Sequence, residues 1–181
     1  RARVDQALTE ERLREEESAK RSQELADLSQ RFFALHAEPN RQKAGYELEK
    51  ILNALFDLFG LSPRDPFRVV GEQIDGSFEL DHEVYLLEAK WCRDPCPEGD
   101  LLVFRGKIEG KSRYTRGVFI SVNGISRDAL EAITRGKQPT FFVMDGYDPS
   151  MVLQGAIGLD DFLRRRQRLL AEEGEVVDLP R

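Results

Sequence analysis

Cysteine and histidine are both scarce in these 181 residues, with two of each: Cys92, Cys96, His36 and His82. Two cysteines define no disulfide framework. A structural zinc is closed by a full set of Cys, His or acidic ligands, and Cys92-x-x-x-Cys96 has no second pair to complete one. Ser121 and Ser126 lack a plausible triad partner, because His36 falls on a leading helix and His82 in a turn. No apolar run is long enough to cross a membrane, and no secretory leader is recognisable. A soluble, reducing, cytoplasmic setting is therefore the expectation. Positive charge is not in excess either: 27 Lys and Arg stand against 33 Asp and Glu, for a formal net charge of -6. Any contact with nucleic acid must come from a local basic patch. No internal repeat is visible. The chain begins at Arg1 without a methionine, so a piece of a longer protein is expected.

Charged residues make up 33% of the chain, above the roughly 25% usual in globular domains. The excess sits in residues 1–31, which contain no Gly or Pro and are rich in Glu, Arg, Ala and Leu. Pairs such as Glu10–Arg14, Glu16–Lys20 and Glu17–Arg21 support a solvated helix. From Leu25 the spacing turns apolar through Leu28, Phe32 and Leu35. Extended backwards, that seam meets Arg21, Ser18, Arg14 and Glu11, which a coiled-coil core rejects. The favoured reading is a connecting helix whose last turns dock on the domain. A dimerising coiled coil is the alternative. The expected division is a charged N-terminal helix over 1–37, one domain over 38–172 and a tail over 173–181.

Glu38-Pro39-Asn40 ends the helix. A second helix is expected over 41–59, with Tyr46, Leu48, Ile51, Leu52, Leu55, Phe56 and Phe59 on one broad apolar face and Gly60 as its C-terminal cap. After a loop over 62–66, strands are expected at 67–70, 73–80 and 84–91, the last two forming a hairpin about Asp81-His82-Glu83. A loop over 92–99 leads to a helix over 101–109. GVFISV (117–122) reads as a buried strand. Asn123-Gly124 turns the chain, and Ser126 caps a helix to about residue 135. A buried strand follows over 140–144, then a turn at Asp145-Gly146. A last helix over 159–172 buries Leu159, Phe162, Leu163, Leu169 and Leu170. This order predicts an α/β fold: a mixed sheet with helices on both faces.

The chemistry gathers in EQIDGSFELDHEVYLLEAKW (72–91). Glu88 and Lys90 end the apolar central strand and share one face, with Ala89 on the other. A turn centred on Asp81-His82 brings Asp75 beside Glu88. Adjacent carboxylates repel, and a hard cation between them relieves this. With Lys90 beside it, such a set suits phosphodiester hydrolysis. The plain alternative is an exposed ion-pair cluster at a strand end. Against it stands the location, since α/β sheets place their sites at strand ends.

Asp75…Glu88-Ala89-Lys90 resembles the PD-(D/E)xK signature of restriction-endonuclease-like nucleases, and the chain resembles the Mrr-like restriction endonuclease family in particular. Gly45-Tyr46-Glu47-Leu48-Glu49 is similar to that family's first-helix motif, Gln73-Ile74-Asp75-Gly76 to its aspartate turn, 118–121 through 129–130 to its strand–loop–helix, and 142–146 to its late strand. Ile74 stands where the signature has proline, and Glu88 where many Mrr-type members have Gln. The resemblance implies a restriction-endonuclease-like fold and a Mg²⁺-dependent endodeoxyribonuclease, with Mn²⁺ able to substitute and a role in defence against foreign DNA. It implies Asp75, Glu88 and the Ala89 carbonyl as metal ligands, Lys90 as base or transition-state stabiliser, and Glu49 as the extra acid. Glu47 and Glu72 are back-up acids, though Glu47 lies a little over half a helical turn from Glu49.

Arg105, Lys107, Lys111 and Arg113, with Arg116, form a basic run just after the EAK strand and are the expected phosphate contacts. The alternative is a solvated helix face. Trp91 is expected to pack as an anchor rather than stack on a base. The expected partners are DNA, a second copy of the chain in a homodimer, and an upstream module or regulatory protein that gates the activity. Two other functions stay open: a catalytically silent nuclease-fold module for nucleic-acid binding or assembly, and a nuclease acting on RNA.

Overall fold

The computed structural model describes residues 2–69 and 71–178, without the side chains of residues 2–4. The helix α1 (Ala2–Ala34) closes in a 3-10 turn, Leu35–Ala37. Its residues 5–24 are all exposed. Leu28 and Phe32 are buried in the domain, with Leu25 and Leu35 packed beside them. The apolar seam is thus covered by the chain's own core. The Arg21 guanidinium lies 4.3 Å from the Phe59 ring and extends this docking by about one turn.

Asn40 starts α2 (Arg41–Leu58), its side chain accepting the Lys43 N–H at 3.1 Å. Ala44, Leu48, Ile51, Leu52, Leu55 and Phe56 are buried. Tyr46 is not among them: it is 53% exposed. At about 100° per residue it lies some 200° round the helix from Leu48, so the broad face expected from sequence was drawn too wide. Gly60 adopts φ +71°, the left-handed conformation that ends helices without a Cβ penalty.

The strands expected at 67–70 and 73–80 are organised differently. β1 (Phe67–Val69) pairs antiparallel with β2 (Glu72–Ile74) in a separate two-stranded ribbon, Phe67 opposite Ile74. Val70 lies outside the described residues. The chain breaks at Asp75, and β3 (Gly76–Leu80) then pairs antiparallel with β4 (Glu83–Lys90). Their turn is Asp81-His82 alone, both at positive φ, the form that matches strand twist in two-residue hairpins.

The remaining elements are α3 (Glu98–Glu109), β5 (Arg116–Ser121), α4 (Arg127–Thr134), β6 (Phe141–Met144), α5 (Tyr147–Leu153) and α6 (Leu159–Glu173). The main sheet has the order β3-β4-β5-β6, with β4, β5 and β6 mutually parallel. This is the expected mixed α/β sheet flanked by helices. Ser126 accepts the Ala129 N–H at 3.1 Å and caps α4. Where only a turn was expected, Asp145 starts α5: its Oδ1 accepts the Tyr147 N–H at 2.8 Å. In α6, Leu169 and Leu170 are half-buried and Arg166 takes the deep position. The expected tail packs at Val176 and Val177, and residues 179–181 lie outside the described residues. Val176 is buried, and its carbonyl accepts the Val143 N–H at 2.8 Å.

Alternation along β4 separates two cores. Tyr85, Leu87 and Ala89 join the cluster that holds α1, α2 and α5, whereas Leu86 joins the one that holds α3 and α4. Glu88 and Lys90 share the Leu86 face. There α3 packs close on β5, because Gly117 offers no Cβ: one built on it would meet Ile108 and Phe104.

Candidate active site

The break at Asp75 and the end of β4 lie side by side. Gly76 pairs with Leu87, so the next position places Asp75 beside Glu88. Asp75 Oδ2 accepts the Ala89 N–H at 3.3 Å. Lys90's carbonyl accepts the Val122 N–H at 3.1 Å and so faces β5. Backbone groups alternate along a strand, so the Ala89 carbonyl turns the other way, to the Asp75 side. Asp75 does not continue a strand; it fills the ladder position that β3 vacates.

Glu88 is 3% exposed. Its Oε2 lies 2.7 Å from Lys107 Nζ on α3 and its Oε1 3.5 Å from Lys90 Nζ. Burial and the Glu88 carboxylate push Asp75 above the usual carboxylate range, with the Ala89 N–H, Lys107 and Lys90 acting against them. Glu49 projects from α2 into the same field. Burial, Asp75 and Glu88 raise its pKa to about 7, opposed by Lys90. Lys90 is held above its ordinary value: burial works against the charge, but Glu88, Asp100 and Asp75 outweigh it. A lysine held charged in this way is better placed to stabilise negative charge than to accept a proton.

The structure therefore brings together Glu49, Asp75, Glu88, Ala89 and Lys90. Among the described residues, no three His, Cys, Asp or Glu side chains form a ready-made metal cluster. The donors at this edge are two carboxylates and a carbonyl, an all-oxygen set that suits a hard cation such as Mg²⁺ or Mn²⁺. Asp75 and Glu49 are raised first by burial and then by neighbouring carboxylates, and a bound cation would relieve both. On this ground the residues fit a divalent ion.

The expected phosphate contacts are not gathered with them as a free patch. Lys107 is bonded to Glu88, Arg105 Nε to Glu109 at 2.5 Å and Lys111 Nζ to Glu72 at 2.5 Å. Arg113 lies over the Tyr114 ring, 4.9 Å from its centroid. Glu47 turns away from Glu49 and pairs with Lys50 at 2.8 Å. Trp91 is an anchor, as expected: it is 5% exposed and its ring centroid lies 4.9 Å from His36 and 5.7 Å from Phe32. The Cys92 and Cys96 sulfurs are 4.0 Å apart as free thiols, and burial pushes Cys96 up to about 12.

Two features at the site escaped the sequence reading. No short-range pattern pairs Lys107 with a strand residue nineteen positions earlier. Tyr46 was legible, since it stands three residues before Glu49 and so on its side of the helix.

No family model matches this chain, and no curated protein matches it. Among solved structures, the MspJI restriction endonuclease in complex with a 27-mer oligonucleotide is similar, with a TM-score of 0.43 and 19% identity. The match covers 87% of this chain and 38% of that one, so this chain spans well under half of its neighbour's length. Overlap at that level assigns neither family nor activity.

Proposed function

We propose that this chain is a metal-dependent nuclease of the restriction-endonuclease-like, Mrr-like type, hydrolysing phosphodiester bonds in DNA. The observation that carries the reading is the convergence of Glu49, Asp75, Glu88 and Lys90 where β3 parts from β4. Asp75, Glu88 and the Ala89 carbonyl would hold Mg²⁺ or Mn²⁺. When bound, the ion supplies a water of lowered pKa and a charge for the scissile phosphate. Lys90 holds positive charge against the phosphoryl oxygens as water adds to phosphorus and the bond to the leaving oxygen breaks. Glu49, which lines the same cavity as Asp75, would be the further acid that orients that water. A cytoplasmic setting, a homodimer, gating by an upstream module or partner, and defence against foreign DNA belong to the same proposal.

A second reading has its own support. Both Glu88 oxygens are engaged by lysines, as in a closed structural ion pair, which favours a silent nucleic-acid-binding module. Plasmid nicking in Mg²⁺ or Mn²⁺, against EDTA and against Lys90→Ala, separates the two. Metal-dependent nicking lost in Lys90→Ala is the expected result. A folded protein that binds Mn²⁺ calorimetrically at neither Asp75 nor Glu88, and nicks nothing, supports the silent module. Parallel reactions on RNA of the same sequence decide the sugar.

A further inference from the structure

The basic run after β4 is largely neutralised within the chain, yet among the described residues three arginines near the carboxylates have no acid within salt-bridge distance: Arg41, Arg64 and Arg93. Two are held by aromatic faces instead. The Arg64 guanidinium lies 3.7 Å from the Phe67 ring centroid and that of Arg41 5.6 Å from Trp91. Such contacts fix a guanidinium without an ion pair, and Arg41 also donates to the Leu35 carbonyl at 3.4 Å, within the field of Glu38. Arg41 and Arg93 line a cavity of about 400 Å³ with Lys90 and Trp91. Arg64 lines one of about 670 Å³ with Asp75. The two cavities share Gln42, Tyr46 and Glu49. A guanidinium without an ion pair therefore stands on each side of the acids, with Asp65 beside Arg64 held by Asn53, and Tyr46 lines both hollows.

Packing does not explain Tyr46. It faces away from the α2 core, with its hydroxyl 3.5 Å from Gln42 Nε2. An exposed ring between two guanidinium-bearing hollows is the arrangement that holds a nucleobase between backbone phosphates. Only an unpaired base can offer its face to such a ring, because the bases of a duplex are stacked on one another.

We propose that the trough over α2 binds a single polynucleotide strand, with Arg41 and Arg93 on phosphates at one end, Arg64 at the other, and Tyr46 stacked on an unpaired base beside Glu49. This rests on the nuclease reading for its substrate class, and moves the binding surface from α3 to α2.

The test is fluorescence anisotropy in EDTA, where no cleavage occurs, with a labelled single-stranded oligodeoxynucleotide and the blunt duplex of the same sequence. The single strand is expected to bind more tightly. Tyr46→Ala should weaken it about tenfold, while Tyr46→Phe, which keeps the ring, retains it. Arg64→Ala and Arg93→Ala should each weaken binding and flatten its salt dependence, and Arg168→Ala on α6 should do neither. Equal or tighter duplex binding with Tyr46→Ala unchanged overturns the proposal. So does a loss confined to Arg113→Ala, which would put the strand on the loop after α3, or no binding by the folded wild type. Strand binding kept while the plasmid assay fails in every metal removes the nuclease reading and leaves the trough standing.

Discussion

At the end of β4, three carboxylates crowd against Lys90 and Lys107. Behind β6 one guanidinium stands at the centre, with Asp145, Asp148 and Asp178 around it. Arg166 is 1% exposed, and its Nη2 donates to the carbonyls of Val143 at 2.6 Å and Val176 at 3.3 Å. Asp178 lies 3.7 Å from its Nη1, and burial lowers the arginine's pKa. Asp148 nearby is pushed up to about 6 by burial, with Arg166 opposing. The two regions bury charge to different ends. The first lines open cavities and leaves carboxylate charge in surplus, which is a reason to bind something. The second is sealed by backbone carbonyls from β6 and from the segment after α6, so its charge ties the C-terminal segment to the sheet. Buried charge alone does not mark a site; access to it does.

That contrast is broken most strongly by Arg166→Ala. It takes the donor from the Val143 carbonyl and the weaker of two donors from the Val176 carbonyl, opens a void, and should cost about 3 kcal/mol or more in urea unfolding. Mn²⁺ affinity at Asp75 and Glu88, read by calorimetry, should not change. If metal binding falls as much as stability, the two regions are not independent. Glu88→Gln comes next. It strips Lys107 of its carboxylate, and because that lysine can turn to solvent the stability cost should be smaller, about 2 kcal/mol. Here metal binding should be lost. A variant of wild-type stability that still binds Mn²⁺ would mean that Glu88 neither holds Lys107 nor serves as a ligand.

Much of this division was open to reading before any fold was known. The acid and base at the end of an apolar strand, the hairpin register that sets Asp75 beside Glu88, and the Ser126 cap all follow from local periodicity. What escaped depends on contacts distant in sequence. The alternation over 73–80 hid the break at Asp75, because β2 keeps extended geometry while changing partner to β1. Lys107 reads as a surface cation until α3 is laid on β5 at Gly117. Arg166 sits within the run Arg164-Arg165-Arg166, and composition does not say which of the three arginines turns inward. Helical spacing did: Arg166 follows Phe162 and Leu163 by four and three residues, on the buried face.

The smaller effects concern pH, and they have one sign at both regions. Glu49 carries a folded-state pKa of about 7 against an ordinary 4.5. Between those values the native state binds more protons than the unfolded one, so stability falls as pH rises through the window and levels off above it. Glu49→Gln should abolish that slope and be the more stable protein in EDTA at about pH 8, with the difference gone near pH 5. Added Mn²⁺ should reduce the wild type's deficit, because a cation compensates the ionised acid. Asp148, at about 6 against 3.8, gives the same falling slope over a lower and narrower window, with Arg166, Asp145 and Asp178 facing it. Asp148→Asn should flatten the decline between about pH 4 and 6. Mn²⁺ should do nothing to it. Unfolding curves at a series of pH values, with and without Mn²⁺, therefore separate the regions by a single criterion. A metal-sensitive slope belongs to the acids at the open edge and a metal-insensitive one to the sealed arginine. Two slopes that respond alike would erase the distinction between a binding site and a clamp.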